Sequence, residues 1–152
     1  MRCVSVNGTF LFTTRYTVRV GDLNYGGHMG FDGMLLVFHD VRVRYLKSLG
    51  YTEFDVGGGK GLIMTEARVR MKDEIFPGDE LVVGLRVSDM GKVRFTVSFR
   101  VSRSSDEKHV AEGETFMAGY DYLRHAAAKL PPDFIRKISP PGTHASDDSL
   151  GD

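Results

Sequence analysis

The chain has 152 residues, with 20 basic and 20 acidic side chains and a formal charge of zero. Balanced charge speaks against nucleic acid or an anionic membrane surface as the main partner, and the length suits one domain with its own core. Its single cysteine, Cys3, excludes an internal disulfide and fits a reducing compartment.

Residues 9–20 are β-branched and aromatic with partial alternation, which predicts a strand ending at Gly21. The run Asp22-Leu23-Asn24-Tyr25-Gly26-Gly27-His28-Met29 follows as a glycine-rich turn. A helix is expected from about Phe31, because Met34, Phe38, Val41, Tyr45 and Leu49 recur at three- and four-residue spacing. Leu35, Val37 and Leu46 widen that stripe, so the helix reads as apolar on more than one face and buried in its fold. Gly50 is placed to close it.

Asp55 to Gly61 reads as a loop. Its Gly57-Gly58-Gly59-Lys60-Gly61 run lacks the glycine spacing and the Ser or Thr of a phosphate-binding loop. The period then changes to two, and Leu62–Ile75, Glu80–Ser88, Lys92–Ser102 and Val110–Tyr122 read as four strands. In the third, Val93, Phe95, Val97, Phe99 and Val101 alternate with Lys92, Arg94, Thr96, Ser98 and Arg100, which predicts one dry and one wet face. Pro77-Gly78-Asp79 and Met90-Gly91 are hairpin turns, so the strands form an antiparallel meander.

Pro131-Pro132-Asp133 starts a short helix reaching about Lys137. The expected organisation is one α+β domain over residues 1–138, an antiparallel sheet of about five strands around one long helix, and a disordered tail over 139–152. No apolar run nears the ~20 residues that span a bilayer, and the first residues lack the pattern of a signal peptide. The expectation is a cytoplasmic protein. The histidines show no metal-ligand spacing, and no metal or cofactor is expected. One helix cannot cover strands this long, so pairing into a homodimer or homotetramer is expected.

The run from Val20 to Met29, continuing through His39-Asp40-Val41-Arg42 to Gly50, resembles the hotdog-fold acyl-CoA thioesterases, closest to the 4-hydroxybenzoyl-CoA thioesterase-like group. Members carry a D-x-D-x-x-G-H-V pattern before the helix and E-x-A-R within it. The resemblance covers residues 12–123. It implies hydrolysis of an acyl-CoA or acyl-carrier thioester to acid and thiol, with the acyl chain along the helix between two subunits.

Where that family carries its catalytic Asp, this chain has Asn24. An amide is neither a carboxylate nucleophile nor a base at neutral pH. Three candidates for the base remain. Asp40 matches the helix acid of E-x-A-R, and burial would raise its pKa toward neutrality, although pairing with Arg44 or Arg42 is the competing fate. His28 has an imidazole suited to the task, but packing of the turn alone would also explain it. Asp32, four residues on, would orient His28 or simply complement the helix dipole.

Asn24 would hold the carbonyl or the attacking water, and on this resemblance Asn24→Asp should be tolerated or raise activity. Gly26, Gly27 and Met29 are the expected oxyanion and substrate contacts, with the N–H groups of Gly27 and His28 as donors. Lys92 and Arg94 are candidates for the CoA phosphates, against a plain solvated face. Two other readings stay open: an acyl-thioester binding protein without hydrolysis, and a hydratase or dehydratase on the same fold.

Overall fold

In the computed structural model, residues 10–139 are described. The expectations for Cys3 and for the tail beyond Ser139 fall outside them. The order of elements is β1 (Phe12–Thr17), a 3₁₀ turn (Val20–Asp22), α1 (Phe31–Ser48), β2 (Gly61–Met71), β3 (Glu80–Ser88), β4 (Arg94–Arg103), β5 (His109–Asp121), β6 (Ala126–Ala127) and α2 (Pro132–Ile138). The architecture is α+β, with an antiparallel sheet ordered β1-β3-β4-β5-β2 and β6 paired to β5. β1 runs antiparallel to β3, from Phe12 opposite Leu85 to Thr17 opposite Glu80. Every long element that the periodicity predicts is present, with ends shifted by a few residues. Leu62–Ile75 stops at Met71, and the 9–20 strand shortens to Phe12–Thr17.

The described residues fall into two compact units. The first takes the chain up to Arg42 with residues 68–86 and 98–114. Its core is built where α1 meets β4: the ring of Phe38 stacks on that of Phe99, with centroids 4.4 Å apart. Met34, Val37 and Val41 are buried on the same stripe. Gly113 on β5 is the complement of Phe38, because a Cβ there would stand 2.6 Å from Phe38 Cε2. The second unit takes residues 43–67, 87–97 and 115 onward. There Phe134 of α2 packs against Phe95 and Tyr51, and the Tyr122 hydroxyl donates to the Leu62 carbonyl at 2.6 Å.

Two expectations change. α1 is not buried all round: Phe31 and Leu36 are 65 and 63 % exposed, and His39 and Lys47 also face solvent. An 18-residue helix on one sheet can bury only the stripe that meets it, whatever its composition. Nor is the polar face of β4 wet, since Thr96 and Ser102 are buried and Ser98 and Arg100 half-buried. β4 lies inside the sheet between β3 and β5. Arg86, Glu112 and Glu114, with Phe10, wall in a ≈ 340 Å³ hollow over Ser98 and Arg100.

Candidate active site

The turn before α1 is shaped by hydrogen bonds. Asp22 secures its entry: its carboxylate accepts the Tyr16 hydroxyl and the Arg19 N–H, each at 2.9 Å. The Asn24 N–H donates to the His28 carbonyl at 2.9 Å, and the Gly27 N–H to the Asn24 carbonyl at 3.1 Å, closing a tight loop. Gly27 has φ +77°, the left-handed region that only glycine enters freely. The Met29 N–H then donates to the Ile75 carbonyl at 2.9 Å, which ties the turn to the segment after β2.

Side chains converge on the glycines of this turn. A Cβ on Gly26 would stand 2.9 Å from His28 Cε1 and 3.3 Å from Asn24 Oδ1, so the imidazole lies directly over that residue. On Gly30 it would stand 3.1 Å from Asn24 Nδ2 and 3.3 Å from Asp32 Oδ1. Glycine at both positions leaves room for Asn24, His28 and Asp32 to gather. The Gly26 N–H donates to Asn24 Oδ1 at 2.9 Å. That bond identifies the acceptor end of the amide and leaves Nδ2, a donor, toward Gly30.

A cleft of ≈ 530 Å³ opens here within the first unit. It is lined by Asn24, His28, Met29, Gly30 and Phe31 from the turn and by Met71, Lys72, Asp73 and Glu74 from the end of β2 and the segment after it. Met29, Phe31 and Met71 supply apolar surface, while the remaining walls are polar. The N-terminus of α1 opens at the cleft, where unbonded N–H groups favour negative charge.

The structure thus brings Asn24, His28 and Met29 to one cleft and sets Asp32 beside Asn24. It does not bring Asp40 there. Position 40 lies nine residues along α1 from Phe31, ~14 Å of helix rise, and is not among the lining residues. Lys92 and Arg94 belong to the second unit and are exposed. The backbone donors are also redistributed, because the N–H groups of Gly26, Gly27 and Met29 all end on internal acceptors. The His28 N–H and the Asn24 amide nitrogen are not among the groups so used.

Composition and spacing did not point to Lys72, Asp73 and Glu74. They are three of the four residues by which the predicted strand overran its end, and no motif marks them. Asp73 sits in an ion cluster. The Arg103 guanidinium at 3.0 Å, then the Lys108 ammonium at 3.1 Å, hold its carboxyl down to about 2.

The sequence profile of the thioesterase-like superfamily matches residues 18–138, most of the chain. The chain belongs to the thioesterase-like superfamily. This is the family that the Val20–Gly50 run resembles, and its fold is the hotdog fold. No curated protein matches the chain.

Among solved structures it is similar to a 1,4-dihydroxy-2-naphthoyl-CoA thioesterase from Synechocystis, at 22 % identity and a TM-score of 0.75, covering 86 % of this chain and 96 % of that one. A gentisyl-coenzyme A thioesterase shares 14 % identity at a TM-score of 0.73, with coverage of 85 and 100 %. A Staphylococcus aureus protein in complex with CoA shares 22 % identity at a TM-score of 0.74, with coverage of 97 % of each chain. At such identities these likenesses carry the fold. Among the described residues, no helix is long and apolar enough to cross a membrane.

Proposed function

We propose that this protein hydrolyses an acyl thioester, with acyl-CoA as the substrate class, at the cleft between the Asn24–Phe31 turn and residues 71–74. The observation that carries the reading is the orientation of Asn24. Its oxygen is occupied by the Gly26 N–H, so its amide nitrogen is offered to the cleft beside the start of α1. A thioester carbonyl placed there meets Asn24 Nδ2 and the His28 N–H, two donors where negative charge develops when water attacks. One such donor supplies roughly 3–4 kcal/mol of transition-state stabilisation.

Asn24 is therefore an electrophilic contact in place of the family's acid. Met29, Phe31 and Met71 give the acyl group an apolar wall. The CoA complex of the Staphylococcus aureus protein supports CoA as the thiol carrier. We place the enzyme in the cytoplasm, acting as a homodimer.

The substitution of the family's acid by Asn24 favours a second reading, in which the chain binds acyl thioesters without turning them over. One experiment separates the two: aromatic, short-chain and long-chain acyl-CoAs are incubated with the protein and free thiol is measured. Thiol release above the uncatalysed rate is expected with at least one of them. Binding of the thioester with no release would establish the non-hydrolytic reading.

A further inference from the structure

The hydrolytic reading requires a proton acceptor; Asn24 cannot serve, and the imidazole of His28 lies folded over Gly26. Of the carboxylates near the turn, Asp32 stands beside Asn24 but is not among the lining residues, Asp40 lies along the helix away from the cleft, and Asp73 is held ionised by Arg103 and Lys108. The remaining carboxylate lining the cleft is Glu74.

Its backbone is held on both sides. The Asp73 N–H donates to the Val110 carbonyl at 3.2 Å, Arg103 Nη1 donates to the Glu74 carbonyl at 2.9 Å, and the next carbonyl, of Ile75, accepts the Met29 N–H. Its side chain is exposed, and among the described residues its carboxylate has no ion pair or hydrogen bond. Glu74 thus combines a backbone held at the cleft that Asn24 and His28 also line with an uncommitted carboxylate. Arg103 completes the arrangement. It neutralises Asp73, whose charge would otherwise oppose an anion forming in the cleft, and it grips the carbonyl of the residue that stays free.

We propose that Glu74 is the catalytic base of this enzyme, supplying from the segment after β2 the carboxylate missing at position 24. The proposal rests on the hydrolytic reading. A water between the walls gives a proton to a Glu74 carboxylate oxygen as its own oxygen bonds to the thioester carbon. The carbonyl π electrons move to oxygen, where Asn24 Nδ2 and the His28 N–H meet them. The carbonyl reforms, the C–S bond breaks with its electron pair on sulfur, and the proton held by Glu74 passes to that thiolate. Water and thioester are consumed, and acid and thiol are produced.

Glu74→Gln keeps the shape and removes the base. With the best acyl-CoA of the panel, kcat is expected to fall a hundredfold or more, while KM and thermal midpoint stay close to wild type. Glu74→Asp should recover part of the rate, and external formate should restore at least tenfold to Glu74→Ala. A residue that only shaped the cleft would move KM and would not respond to formate. Glu74→Gln turning over within tenfold of an active wild type overturns the assignment and leaves hydrolysis standing. A wild type that releases no thiol from any thioester overturns both, and is seen before any variant is made.

Discussion

The Gly26 N–H donates to Asn24 Oδ1 across 2.9 Å, and this bond decides what residue 24 offers to the cleft. Its other end, Nδ2, stands with Asp32 Oδ1 over Gly30. An Asp here would keep the Gly26 bond but would set a second oxygen toward Asp32 in place of a donor. The resemblance alone makes Asn24→Asp a restoration; the orientation makes it a loss. Turnover is expected to fall about a hundredfold, about 2.7 kcal/mol of activation free energy, with the thermal midpoint nearly unchanged. Steady-state rates on the preferred acyl-CoA check this, and a rise in kcat would show that position 24 works best as a carboxylate.

Gly26→Ala probes the opposite side of the same group. The added methyl meets His28 Cε1 at 2.9 Å, and the cheapest relief is rotation of the imidazole. Because the displaced atom belongs to a half-exposed side chain, stability should change by less than about 1 kcal/mol. Activity should drop at least tenfold through disturbance of His28 and Asn24. Rate and melting curve measured together give the answer, and an unaltered rate would remove this turn from the site.

Gly113→Ala should do the reverse, harming the fold first. Its methyl would strike the Arg68 carbonyl oxygen and stand 2.6 Å from the Phe38 ring, which is itself pinned on Phe99. Overpacking of this kind costs about 3 kcal/mol, roughly 10 °C in melting temperature for a domain this size. Gly21→Ala, where a Cβ meets nothing within 4 Å, serves as the control and should be within about 0.5 kcal/mol of wild type.

Acid should loosen the Asp73–Arg103–Lys108 cluster at a definite pH. The folded carboxyl of Asp73 sits at about 2, below the ordinary 3.8, because Arg103 and then Lys108 favour its charged form. Its contribution is present above about pH 4 and disappears as pH falls through about 2. Chemical denaturation at a series of pH values should show wild type losing stability more steeply between 4 and 2 than Asp73→Asn. His109 acts in a higher window. Burial, then the Arg100 charge, lowers its pKa from 6.5, so stability should fall as pH drops below that value. His109→Gln should remove this slope, and equal slopes in the two proteins would contradict it.

Self-association is expected at micromolar concentration. β2 ends the sheet order with an 11-residue edge, and Ile63 and Met64 on it are exposed. Phe31 and Leu36 leave apolar surface on α1 as well. A long uncovered edge invites pairing with another strand. Light scattering should give at least twice the chain mass, and Ile63→Lys should shift it toward one copy. A monomeric wild type at that concentration would end this expectation.

The elements were legible in the sequence because each depends on local periodicity and end signals. The three- and four-residue spacing from Met34 to Leu49 locates α1, and Gly50 closes it with φ +87°. Alternation locates β3, β4 and β5 to within two residues. The turn residues Asn24, Gly26 and His28 were legible too, since a motif that packs on itself is contiguous in the chain. Burial followed composition less well: Leu36 is apolar and exposed, whereas Thr96 is polar and buried, because burial depends on which elements cover a face.

What the sequence by itself determined is an α+β chain of this superfamily, with the Asn24–His28 turn ahead of its long helix. Only the tertiary structure decided which way the Asn24 amide faces, which turn N–H groups remain unused, and which carboxylates reach the cleft. The first is set within the turn by the Gly26 N–H, the second partly so, and the last by contacts between segments about 50 residues apart, such as Met29 N–H with the Ile75 carbonyl. Asp40 carries a motif's signature and stands along the helix. Glu74 carries none and lines the cleft, because a strand that ends at Met71 and a backbone gripped by Arg103 place it there.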